Sequence, residues 1–64
     1  MRWTDTYEIV DGLIETHPDV DPLTVRFTDL MAWVLALPGF EDVEDNCSER
    51  ILEAIQMTWI DERD

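Results

Sequence analysis

The 64-residue chain has no lysine, a single cysteine, two glycines and three prolines, and no apolar run long enough to span a bilayer. Each scarcity excludes something. Cys47 alone forms no internal disulfide, and the opening Met1-Arg2-Trp3-Thr4-Asp5 has no signal-like apolar stretch, so a cytoplasmic protein is expected. The longest apolar passage, Leu30 to Leu37, makes about two helical turns against the ~20 residues a bilayer requires, so the protein is expected to be soluble. With no lysine and only four arginines, the chain lacks the basic patch that neutralises phosphate backbones or anionic lipid. Nucleic acid and membranes are therefore poor partners. A domain this small buries only about 60% of the surface its unfolded chain exposes, so an enclosed substrate cavity would remove contacts the fold needs. No nucleophile with an oriented base, and no carboxylate pair across a cleft, can be read from the sequence. The expectation is a protein that is not an enzyme.

Present in their place are sixteen acids, nine Asp and seven Glu, giving a formal net charge of −12 on a chain that is 45% hydrophobic. Such charge is common in disordered chains, but those lack the periodic Ile, Leu, Val and Trp seen here. The field of a folded, strongly negative surface gathers cations and speeds encounter with a basic protein over about a Debye length, roughly 8 Å in physiological salt. Positive partners are expected.

Asp5 with Glu8 three residues later reads as a capping box opening a first helix. Ile9, Val10, Leu13 and Ile14 then recur at helical spacing until His17, where the following Pro18 stops the helix, and Glu8, Asp11 and Glu15 take the opposite face. Pro18-Asp19-Val20-Asp21-Pro22 is a rigid connector in which Asp21 caps a short helical turn through Val25, allowing a helix-turn-helix arrangement. Thr28 and Asp29 signal a second helix with Leu30, Met31, Val34 and Leu37 inward. Because Ala32, Leu35 and Ala36 are also apolar, this helix is expected to be the central, most buried element. Pro38-Gly39 ends it, Phe40 folds back into the core, and Glu41, Asp42, Glu44 and Asp45 form a mobile acidic loop. Asn46 and Glu49 offer another capping box for a third helix from about Cys47 to about Glu62. Ile51, Leu52, Ile55 and Trp59 form its inner face, and Met57 and Ile60 lie around the side as either the flank of a wide apolar face, the favoured reading, or a partner-facing patch. Trp59 is expected in the core, while Trp3 and Trp33 are open between core and interface. The fold class is all-α, one small three-helix domain over residues 1–64, expected to be monomeric.

The motifs Trp3-Thr4-Asp5, Pro18-Asp19-Val20-Asp21-Pro22 and Val25-Arg26-Phe27-Thr28-Asp29-Leu30 with Trp33, and then Ile51-Leu52-Glu53-Ala54-Ile55-Gln56 with Trp59, Asp61 and Glu62, resemble the IscX family, also called YfhJ, over essentially the whole chain. The resemblance implies a helix-turn-helix or modified winged-helix-like domain that serves bacterial iron-sulfur cluster assembly as an accessory, not a catalyst. It implies weak iron binding through carboxylates, and binding to the cysteine desulfurase IscS on a basic surface that the scaffold protein and frataxin also use. The implied role is adaptor, regulator or iron donor. His17 stands where an aromatic such as Tyr is expected, and Cys47 where small polar residues are usual, so no role is transferred to either.

Glu8, Asp11 and Glu15, at spacings of three and four, lie on one helix face where two or three oxygens can share a hard cation; the same pattern is an ordinary solvated face. With the resemblance they become the candidate iron ligands, weak and unselective because neither thiolate nor imidazole joins them. Asp5, Glu8, Asp11, Glu15, Glu41, Asp42, Glu44 and Asp45 are the candidate partner-binding acids. A calcium loop starting at Asp19 fails, with Thr24 at its glycine position and Leu30 at its final glutamate. Cys47 is surrounded by acids that oppose a thiolate, and reads as an incidental small residue; His17 reads as a cap or packing residue. Two alternatives to the adaptor remain: an iron donor, or an acidic mimic of DNA that inhibits a basic protein.

Overall fold

In a computed structural model, which describes residues 1–63, three α-helices carry the chain: α1 over Thr6–Thr16, α2 over Phe27–Leu35 and α3 over Glu49–Arg63. Short 3₁₀ turns at Pro22–Thr24 and Glu44–Asn46 interrupt the connections, and no strand occurs among the described residues. No helix is long and apolar enough to cross a membrane.

The boundaries follow local chemistry at some ends and tertiary contacts at others. α1 closes where the His17 amide donates to the Leu13 carbonyl and Pro18 opens a turn, closed by the Val20 amide on the His17 carbonyl at 3.3 Å. At its start the expected capping box is absent. Asp5 is the N-cap residue, yet its carboxylate turns back to accept the Arg2 amide at 2.7 Å, closing a turn through Trp3 and Thr4, and makes no bond to the helix. Asp21 caps the first 3₁₀ turn as expected, accepting from the Leu23 amide at 3.0 Å, with Pro22 behind it. α2 starts at Phe27, ahead of the Thr28-Asp29 signal, with no side-chain cap. The Asn46–Glu49 box is also absent. Ser48 accepts the Ile51 amide at 3.3 Å to open α3, while Asn46 ends a 3₁₀ turn and donates its side-chain amide to Asp42 at 2.7 Å.

The core comprises Ile9, Val10 and Leu13 of α1, Leu30 and Val34 of α2, Leu37, then Leu52, Ile55 and Trp59 of α3, joined by Trp3. The central element is α3, which packs on α1, on α2 and on the first 3₁₀ turn; the expectation that α2 would be central is overturned. α2 has only nine residues; of the further apolar positions expected for it, Ala32 is exposed and Ala36 is the exposed C-cap just past its end, both too small to extend a packing face. Gln56 and Arg63 hold the connector to α3, through the Pro22 carbonyl at 2.8 Å and the Asp21 carboxylate at 3.0 Å. Ile60 flanks the inner face half-buried, whereas Met57 points outward at 55% exposed, outside the flank expected for it.

Residues 1–3 fasten to residues 39–43. The Met1 ammonium donates to the Gly39 carbonyl and the Glu41 amide to the Met1 carbonyl, both at 2.8 Å. The Trp3 amide donates to Asp42 at 3.2 Å, and the Trp3 indole N–H to the Val43 carbonyl at 2.8 Å. Phe40 folds back as expected and meets the Trp3 ring edge-on, centroids 4.9 Å apart. The 41–45 segment, expected to be a mobile loop, is thus organised around the N-terminus. It leaves α2 through a tight turn, Phe40 N–H to the Leu37 carbonyl at 3.1 Å, with Pro38 fixing φ and Gly39 at φ +81° supplying the left-handed position.

Trp3→Ala is expected to cost about 3–5 kcal/mol, as for a buried aromatic. That is comparable with the whole stability of a domain of this size, roughly 0.05–0.15 kcal/mol per residue. Gly39→Ala, with open space around it but a left-handed backbone, should cost about 1–2 kcal/mol. Urea midpoints of both variants, with Trp33→Ala as a half-buried comparison, check the order.

Candidate functional site

Helix periodicity sets Glu8, Asp11, Gly12 and Glu15 on the outward face of α1. Beside them pass Leu37 and Pro38, leaving α2, and Met1 of the N-terminal segment. These residues, with Thr16, line an open groove of ≈ 370 Å³. The two segments come close because residue 12 has no side chain: a Cβ there would lie 3.2 Å from a Leu37 methyl carbon. Its lining sets the side chains of Leu37, Pro38 and Met1 beside the three carboxylates, with the Met1 ammonium bonded to the Gly39 carbonyl.

The structure brings Glu8, Asp11 and Glu15 to this one groove. Asp5 lies in a neighbouring depression with Tyr7, shared with Glu8. Glu41, Glu44 and Asp45 are exposed in a separate group on the 41–45 segment. Asp42 differs from them. Its carboxylate accepts from the Asn46 side chain and from the Val43 and Trp3 amides, bonds that hold it below the usual carboxylate range. Its lone pairs are occupied within the chain. The one ion pair among the described residues joins Arg63 to Asp21, away from the groove, so none of the groove carboxylates has an internal cation.

As a metal site the arrangement is loose: among the described residues, no three His, Cys, Asp or Glu side chains converge where an ion could sit. Thr16 and His17 are the one hydroxyl–imidazole contact, Oγ1 to Nδ1 at 2.8 Å. The Thr16 hydroxyl donates to the Gly12 carbonyl at 2.8 Å, so Nδ1 must be the donor in the second bond and cannot act as a base toward Thr16. His17 has a packing role, stacked on Trp33 with centroids 4.2 Å apart, which also accounts for the half-burial of Trp33. Burial pushes the Cys47 thiol up, against any nucleophilic role.

The periodic reading of α1 missed Glu62. On α3, this carboxyl is held above the usual range, first by the desolvation of its surroundings and then by the charge of Asp11 and a hydrogen bond with it. Asp11 of the groove and Glu62, which lines a separate depression with His17 and Trp59, therefore act on each other across two helices, and no spacing rule links them.

A carboxyl whose folded-state pKa is raised binds more protons in the folded state, so its contribution to stability falls as pH rises through that pKa. Glu62→Gln should therefore raise the melting temperature at neutral pH. The difference should vanish below the ordinary carboxyl range, where Glu62 is protonated folded and unfolded; paired thermal scans across that interval test both parts.

Two comparisons with known proteins cover the whole chain. The chain is 50% identical over 64 residues to an uncharacterised protein of Pseudomonas aeruginosa, a match covering 100% of this chain and 97% of the relative. A family model described as iron-sulphur cluster assembly matches residues 1–64. With the whole chain matched, and with the Trp3-Thr4-Asp5, Val25–Leu30 and Ile51–Gln56 motifs in place, the protein belongs to the iron-sulphur cluster assembly family, the IscX family, and its role lies in that assembly.

Proposed function

We propose that this protein is an acidic adaptor and regulator of iron-sulfur cluster assembly that docks on a basic surface of the cysteine desulfurase and holds iron weakly through the same carboxylates. The observation that carries this reading is the clustering of Glu8, Asp11 and Glu15 along one groove with no arginine of the chain paired to them. Like charges on successive turns repel by a few tenths of a kcal/mol per close pair, and a positive partner relieves that repulsion. Asp5 extends the acidic face, and Glu41, Glu44 and Asp45 supply a second exposed group. Asp42, bonded within the chain, acts here by shaping the segment that presents its neighbours. Iron is cargo or modulator on this surface, bound transiently, and competes there with the protein partner. The scaffold protein and frataxin compete instead for the desulfurase side of the contact. The reading makes the protein an accessory rather than a catalyst.

Calorimetry against the cysteine desulfurase at low and high salt tests the reading. Binding should be micromolar or tighter at low salt and weaken as salt is added. Changing Glu8, Asp11 and Glu15 together to their amides should weaken it about tenfold, at about 0.3–1 kcal/mol per exposed charge pair. No binding at low salt would overturn the adaptor reading.

A further inference from the structure

We draw no further inference here: the strongest candidate, the apolar patch that Met31, Ala32, Leu35 and Ala36 leave at the surface of α2 and its C-cap, carries none, because nothing in the structure shows what covers it.

Discussion

The Trp3 indole joins two segments that have little regular structure of their own. The residues before α1 and those between α2 and α3 hold position because the indole N–H reaches the Val43 carbonyl, its ring abuts Phe40, and its own amide meets Asp42. A 64-residue chain without a disulfide has few ways to order a long connection. Burying one large aromatic inside the bend does so by lining the connection with apolar surface and satisfying its polar groups in the same place. The rest depends on that anchor. With residues 39–43 fixed, Leu37 is fixed; with Leu37 fixed under Gly12, α1 and the exit of α2 keep the spacing that leaves a groove between them.

The charge distribution is the second constraint. Four arginines cannot balance sixteen acids, and the one ion pair among the described residues ties the end of α3 to the connector at Asp21. The surplus negative charge is therefore left on the exposed faces of all three helices and on the 41–45 segment, where water screens it. Even so, desolvation and then the charge of Asp11 on the neighbouring helix hold the Glu62 carboxyl above the usual range. Conflicts of this kind are common at binding surfaces, because groups arranged for an external partner are seldom the arrangement most stable alone.

How much of this could be read from the sequence depended on the range of the signal. Elements announced by local chemistry were legible: the stop of α1 at Pro18, the Asp21 cap, the turn at Pro38-Gly39, and the inner face of α3 through Trp59. Capping was less legible where neighbouring residues compete. Asp5 and Asn46 both have the right chemistry to cap, but each is drawn to a tertiary partner, the Arg2 amide and the Asp42 carboxylate, and Ser48 opens α3 instead. The prominence of α2 was misjudged because counting apolar residues gives Ala32 and Ala36 the same weight as leucine, although they bury almost nothing. Of the groove, the sequence revealed the carboxylates alone, since helical periodicity groups Glu8, Asp11 and Glu15. Its apolar lining comes from Leu37, Pro38 and Met1, which no short-range pattern relates to α1.

The surroundings of the acids matter as much as their spacing. Three carboxylates on a bare helix face would meet any cation on charge alone. Here they stand beside Leu37, Pro38 and Met1, so that face of α1 combines charge with apolar surface. Periodicity places the carboxylates, and the fastening of the N-terminal residues to the 39–43 segment through Trp3 places the apolar surface next to them, so the groove depends on the anchor as much as on the helix.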